Sequence, residues 1–318
     1  MATNKHPVLL ADNGEFMVGT IRVPLHRVST ALLWKQDPCR HYYSKPNKVT
    51  SPDRSNNSSI KFNQFDICSN GKRNVVQHEK NKESNCIEEL KESLILRQGM
   101  VLLKHYITHD EQVEIVKICR QLGLGPGGFY RPGYADGAKL RLHMMCLGLD
   151  WDPQTGKYRN IRLADGSSPP SIPESFGKLV VKAIEEAHCL IRKECRVSFA
   201  ERILPSMSPD VRIVNFYNSH GRLGLHKDRD ESRESIRKGL PVVSFSIGDS
   251  SVFIYGDQRD VDKAEKVVLE SVDVLIFGGE SRLVFHGVSS IIPNSAPKKL
   301  IQDSMLSPGR LNLTFRQY

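Results

Sequence analysis

"VRIVNFY", residues 211–217, is the first of six short β-type runs that fill the C-terminal third of the chain. It is followed by "PVVSFSIG" (241–248), "SSVFIYG" (250–256), "DVLIFGG" (273–279), "RLVFHGVSSII" (282–292) and "RLNLTFRQY" (310–318). β-Branched and aromatic residues dominate each run, and Gly, Asp, Pro and Ser separate them. Many short strands at close intervals predict a sandwich or barrel rather than βαβ units. Upstream, "THDEQVEIVKICRQLGLG" (108–125) opens with Thr108 and Glu111 in capping-box spacing and closes at Gly123 and Gly125, which predicts a helix. A second helix is predicted by "PESFGKLVVKAIEEAHCLIRK" (173–193). There Phe176, Leu179, Val180, Ala183, Ile184, Ala187, Leu190 and Ile191 form a stripe at i, i+3, i+4, i+7 spacing. The expected class is mainly β with flanking helices (α+β), and the Gly/Pro/Tyr-rich stretch 125–139 reads as exposed loop.

The chain has 318 residues, 39% of them hydrophobic, enough to bury a full core. No run of 18 apolar residues appears, and the start lacks the layout of a secretory signal, so a soluble intracellular protein without a membrane span is expected. Seven scattered cysteines without a CxxC pair argue against a disulfide framework and a structural zinc site. The formal net charge is +9, and residues 1–85 hold 13 Lys/Arg against 7 Asp/Glu. Stretches such as "KPNKVTSPDRSNNSSIK" (45–61) are basic and Asn/Ser-rich, and cannot bury enough apolar surface to offset their ordering entropy. Residues 1–85 therefore read as a disordered basic tail, either attracted to phosphates or an inert or targeting extension. The ordered domain is expected over 86–318, with strand-like character from 99 to 107. No feature points to an obligate protein partner.

In "GLHKDRDE" (224–231), His226, Asp228 and Asp230 stand at alternate positions and would share one face of a strand. His-X-Asp alone is weak evidence in a chain with eleven histidines. A third ligand is available in His286, on a later run; two His and one carboxylate form the facial triad of non-haem Fe(II) oxygenases. Taken alone, His286 fits a hydrogen-bonded core histidine better than a ligand. In "GRLNLTFRQY" (309–318), Arg310, Asn312, Thr314 and Arg316 fall on one face, with Leu311, Leu313 and Phe315 on the other. Arginine forks match carboxylates bidentately, so the pair suits a dicarboxylate; the plain alternative is an edge strand with a solvated basic face.

In combination these residues resemble the AlkB family of Fe(II)/2-oxoglutarate dioxygenases. The resemblance covers about residues 95–318 and is strongest in "NFYNSHGRLGLHKDRDE", "GGESRLVFHG" and "RLNLTFRQ", where the order HxD…H…RxNxxxxR is specific. It implies a double-stranded β-helix (jelly roll) with an N-terminal lid region. It further implies Fe(II) held by His226, Asp228 and His286, with 2-oxoglutarate and O2 as cosubstrates. Arg310 and Arg316 would bind the two 2-oxoglutarate carboxylates, helped by Asn215, Tyr217 and Asn312. Asp230, with Glu231, would reach a target base flipped out for chemistry. In "LGLDWDPQTGKY" (147–158), Trp151 and Tyr158 are spaced as the family's lid aromatics, and Trp151 would stack opposite the His226 ring. The implied reaction is oxidation of an N-methyl group on a base of DNA and/or RNA, loss of formaldehyde and restoration of the base, as in DNA repair. N1-methyladenine, N3-methylcytosine and N6-methyladenine remain open as substrates. The same chemistry on a protein or small molecule is the alternative reading, and a binding module without catalysis a third. Nucleus and cytoplasm are the expected compartments, with an organelle as the alternative.

Overall fold

The computed structural model describes residues 15–18, 21–24, 65–69, 93–133 and 137–318. Two compact units divide the chain, residues 1–63 and 64–318. Within the first, β1 (Glu15–Val18) and β2 (Ile21–Pro24) form an antiparallel hairpin; the segment 45–61, expected to be disordered, lies outside the described residues.

The second unit starts earlier than the boundary expected at Cys86. Ile67 is fully buried in the core, Cys68 bridges Leu306, and Asp66 accepts three hydrogen bonds of 2.7–3.2 Å from the Arg120 guanidinium. "FDIC" inserts Phe65 and Ile67 on either side of a paired aspartate. Such a signal is too short to stand out from the polar residues around it.

Seven antiparallel strands form the larger sheet. In spatial order they are β3 (Leu94–Arg97), β4 (Met100–Leu103), β13 (Val274–Phe277), β10 (Val242–Gly248), β15 (Arg310–Arg316), β8 (Val211–Tyr217) and β5 (His143–Leu147). The smaller sheet runs β12 (Glu265–Leu269), β11 (Ser250–Gly256), β14 (Phe285–Ile292), β9 (Leu223–His226). A separate hairpin, β6 (Asp150–Asp152) and β7 (Lys157–Arg159), pairs Trp151 with Tyr158. The chain crosses between the sheets at Gly248 and Asp249. Gly248 has φ +91°, where a Cβ would meet the Gly309 carbonyl oxygen at 2.6 Å, so only glycine fits the corner. Asp249 Oδ1 accepts from the backbone N–H groups of Ser295 and Ala296, both at 3.0 Å. This is the double-stranded β-helix that the sequence resemblance implied.

Both expected helices are present. α1 (His109–Gly123) carries the full capping box: Glu111 N–H donates to Thr108 Oγ1 at 3.2 Å and Thr108 N–H to Glu111 Oε2 at 2.8 Å. α2 (Glu174–Cys195) buries Phe176, Val180, Ala183, Ile184, Ala187 and Ile191. Both helices pack on one face of the large sheet, against Leu311, Leu313 and Phe315 of β15 and Val243, Phe245 and Ile247 of β10. Each such buried side chain contributes about 1.5–3 kcal/mol.

The other face looks into the jelly roll, where two separate apolar clusters form. One is built on β4, β13, β11 and Leu269, the other on β5, β8 and β14. Between them run β10 and β15, which present Ser244, Ser246, Arg310, Asn312, Thr314 and Arg316. All six are buried. β15 is thus a central strand, and the solvated-edge alternative for its arginines is excluded. The five cysteines among the described residues are free thiols. No helix of the described residues is long and apolar enough to cross a membrane.

Candidate active site

β9 and β14 are paired so that His226 and His286 face each other across the ladder, ring centroids 4.4 Å apart. Asp228 closes the group: its Oδ1 lies 3.6 Å from His226 Nε2 and its Oδ2 3.7 Å from His286 Nε2. One ligand atom from each residue falls within 4.8 Å of the others, the only such set of three among the described residues. In both rings Nδ1 faces a backbone carbonyl, Gly224 O at 2.9 Å and Val284 O at 3.1 Å. A donated N–H there leaves Nε2 as the lone-pair nitrogen, the arrangement by which metal-binding histidines are oriented.

Protonation suits the same purpose. Burial, followed by the nearby His226, pushes the His286 pKa down to about 4, so the ring is neutral. Burial opposes charge on Asp228, but the Arg316 guanidinium outweighs it and holds this carboxyl well below the usual range. A neutral His286 and an ionised Asp228 are in the states that bind a cation.

The strand expected to carry His226, Asp228 and Asp230 on one face ends at His226. Its last pair is His226 opposite His286, β14 begins at Phe285, and residues 227–231 leave the sheet. Strict alternation therefore does not govern the two aspartates. Asp228 turns back to the histidines, whereas Asp230 turns to the lid hairpin and accepts from Trp151 Nε1 at 2.9 Å. Trp151 is thus tied to Asp230. Gly156 makes the approach possible: at φ +62°, a Cβ there would lie 3.2 Å from Asp230 Oδ2.

Next to the cluster, β15 lies in register with β8, Arg310 opposite Tyr217 and Asn312 opposite Asn215. Arg310 donates from Nη2 to Ser246 Oγ at 3.0 Å, while its Nε and Nη1 are buried without a partner. Burial lowers its pKa to about 10. Arg316 grips Asp228 Oδ2 from Nε at 2.9 Å and Nη2 at 2.5 Å, and its Nη1 has no partner. Asn215 Oδ1 is likewise unpartnered. Unpaired buried N–H groups cost free energy, so the orphaned arginine donors mark where an acidic ligand fits, whereas the Asn215 oxygen can only accept. Arg316 stands at the metal-type cluster and Arg310 at the far end, beside Tyr217. A dicarboxylate laid between them would meet Arg316 at its inner carboxylate and Arg310 at its outer one.

Two expected roles change. Asn312 gives both amide hydrogens to the wall, to Ser244 Oγ (2.8 Å) and Phe245 O (2.9 Å), and its oxygen accepts from Thr314 at 3.2 Å. It braces the cradle rather than presenting a free group. Glu231 is also committed. Its Oε2 accepts from Arg282 Nη2 at 2.9 Å and its Oε1 from Tyr158 Oη at 3.0 Å, and Arg316 Nε lies 3.2 Å away. With a side chain 1% exposed, Glu231 is a structural anchor and does not face a base. Arg282, not anticipated from sequence, also donates to the Asp228 carbonyl at 2.6 Å. Its guanidinium therefore fixes the loop from both ends. Ser244 and Ser246 were missed too, although their alternation in "PVVSFSIG" is the same period-two signal that organises β15.

Glu231→Gln keeps the shape but removes the charge opposite Arg282. Leaving one buried partner uncompensated costs about 3–5 kcal/mol, which should lower the melting temperature by roughly 6–20 °C in a domain of this size. The double variant Glu231→Leu/Arg282→Met should recover most of that loss in thermal melts; no drop in the single variant would show that the pair is not stabilising.

A jelly roll whose interior combines a facial cluster with orphaned arginines is the framework of an Fe(II)- and 2-oxoglutarate-dependent oxygenase. Comparison with known proteins makes the assignment particular. Residues 99–316 match the model of the 2OG-Fe(II) oxygenase superfamily. The chain is 59% identical over 262 residues to the Arabidopsis thaliana "DNA N(6)-methyladenine demethylase ALKBH1D", covering 80% of this chain and 58% of that protein. It is 60% identical over 224 residues to ALKBH1C of the same plant, covering 70% and 49%. The solved structure of OsALKBH1 superimposes with a TM-score of 0.68 at 57% identity, over 71% of this chain and 100% of that one. The chain belongs to the 2OG-Fe(II) oxygenase superfamily and, within it, to the AlkB family. It spans about half the length of the curated relatives it matches.

Proposed function

We propose that the chain is an Fe(II)/2-oxoglutarate-dependent dioxygenase that removes N-methyl groups from bases in nucleic acid. The observation that carries the substrate class is the pairing of Trp151 with Asp230, next to the metal-type cluster. An indole face and a carboxylate with one oxygen, Oδ1, free of the indole suit a flipped base: the ring stacks, and an exocyclic amine donates to the acid. Among bases, N6-methyladenine in DNA is favoured, because two relatives near 60% identity carry that activity in their names. Such work belongs where DNA is, by default the nucleus, in repair or in erasure of a base mark.

His226, Asp228 and His286 would hold the iron, which when bound with 2-oxoglutarate supplies oxidation of the methyl carbon by O2. The chain's own contributions are separable. Arg310 and Arg316 match the charge of 2-oxoglutarate in a buried wall, so the cosubstrate is oriented before O2 is used. Arg316 must loosen its fork from Asp228 to do so, freeing that carboxylate for the metal. The Tyr158–Glu231–Arg282 chain fixes the lid to the metal loop, which holds the methyl carbon in place and keeps water out.

The test is mass spectrometry of DNA and RNA oligonucleotides carrying N6-methyladenine, N1-methyladenine or N3-methylcytosine, incubated with protein, Fe(II) and 2-oxoglutarate. Loss of one methyl group, strongest from N6-methyladenine in DNA, is the expected result. Succinate release without loss of methyl from any base would move the substrate to a protein or small molecule. Asp230→Ala should reduce base turnover about 10- to 100-fold, as removal of a charged hydrogen bond worth about 1.5–3 kcal/mol requires. Succinate formation without nucleic acid should be unchanged; a parallel loss would make Asp230 part of the oxidation machinery instead.

A further inference from the structure

Away from the base slot, β5 and the loop between β8 and β9 enclose a cavity of about 350 Å3. Arg131, Arg141, His143 and His220 line it together with Phe216 and Asn218, and among the described residues no carboxylate does. These basic groups come from three segments that the fold brings together. Arg131 follows Tyr130, which bridges Met144 of β5; Arg141 bridges Arg222; His220 lies on the loop that leads into β9 and His226. Both arginines are exposed and little used. Among the described residues the Arg131 guanidinium donates only from Nε, to Leu140 O at 3.1 Å, and that of Arg141 makes no hydrogen bond or ion pair.

One wall is aromatic. His143 stacks on Phe65 at 3.6 Å between centroids with ring planes 3° apart, and Phe216 lies 5.5 Å from Phe65. Burial, and after it the charge of Arg131, lowers the His143 pKa, so this ring is neutral and the positive charge of the cavity is that of Arg131 and Arg141. Two guanidinium groups that face one cavity, with no acid among the described residues that line it, gain free energy when an anion enters. The volume exceeds that of a bare inorganic ion and is of the size that holds a nucleotide-sized group.

We propose that this cavity binds a phosphate, with its sugar, of a nucleotide in the same strand as the one demethylated and several positions from it. Guanidinium forks would take the phosphate oxygens and the Phe216/His143 wall the sugar. Phosphate contacts carry no sequence information; they fix the register of a strand. Here they would hold the strand beside the loop that leads into β9, at the end of β5 opposite the lid hairpin. The proposal rests on the nucleic-acid reading above.

The test uses the full chain with Arg131→Gln/Arg141→Gln, and binding of a fluorescent, unmethylated single-stranded oligonucleotide read by anisotropy over a range of salt. Affinity should fall about tenfold or more, and the slope of log K against log salt should become shallower by about 0.7 for each phosphate no longer neutralised. Arg131→Lys/Arg141→Lys should restore most of both. Turnover of a methylated nucleoside, which has no phosphate, should be the same in wild type and variant. Unchanged oligonucleotide affinity and slope in the Gln variant would overturn the proposal and leave the demethylase reading standing. Wild type that binds the strand through these arginines but demethylates no base would instead sink that reading and keep the pocket. Pyrophosphate is the third arm: uptake that needs both arginines, with strand binding indifferent to them, would assign the cavity to a free phosphate and overturn the strand assignment.

Discussion

Replacing His226 by alanine is expected to abolish iron-dependent turnover while leaving the melting temperature and circular dichroism of the wild type. The ring stands at the end of β9, its side chain 36% exposed, and its contacts are one backbone carbonyl and the cluster itself. Its loss therefore opens no core cavity. Even the hydrogen-bond partner of a metal ligand is worth about 10- to 100-fold in metal affinity or activity, so removal of the ligand should exceed that range. Iron content after equilibration with Fe(II), together with succinate release, measures both effects. His226→Ala that still binds one equivalent of iron and turns over would remove His226 from the ligand set. Asp228→Ala is a poorer probe. Arg316 holds the Asp228 carboxylate and Arg282 its backbone carbonyl, so the carboxylate's removal strands a buried guanidinium as well as removing a ligand.

What was legible in the sequence follows from the range of each signal. The capping box of α1 lies within four residues, and the apolar stripe of α2 repeats along one helix, so both are local patterns. The two faces of β15 were legible for the same reason: Arg310, Asn312, Thr314 and Arg316 alternate with residues that face the helices, and the ladder with β8 is regular over all seven positions. His226 and Asp228 were identified through motif order, yet the strand geometry assigned to them fails beyond His226. It fails because β14 begins at Phe285, just beyond the His226–His286 pair, and offers Asp228 no strand partner, a property set by a segment about 60 residues away. Glu231 was misread for a related reason. Its partner Arg282 lies 51 residues away, and adjacency to Asp230 suggested a shared task where the chain instead gives one acid to the lid indole and the other to a buried arginine. Phe65 and Ile67 show the limit on the other side, a core contribution too short to read as structure.

Arg310→Met should separate cosubstrate binding from stability more cleanly than a change at Arg316. Arg310 is 1% exposed and has two nitrogens without a partner, so the ligand-free protein bears a desolvated cation that a methionine of similar length would replace with apolar contact. Exchange of a poorly satisfied buried charge for a packed hydrophobe is often neutral or stabilising, and the melting temperature without 2-oxoglutarate should stay level or rise. Affinity for 2-oxoglutarate should move the other way. Loss of a desolvated charge pair costs on the order of 2–5 kcal/mol, roughly 30-fold to several-thousand-fold in Kd. Arg316 cannot give this separation, because its removal also exposes Asp228 and Glu231 to each other without their common counter-charge. Calorimetric titration with 2-oxoglutarate beside thermal melts of the same samples reads both quantities. A destabilised variant with unchanged cosubstrate affinity would make Arg310 a structural cation of the wall, and would leave the orphaned Nε and Nη1 to be satisfied by something other than the outer carboxylate of 2-oxoglutarate.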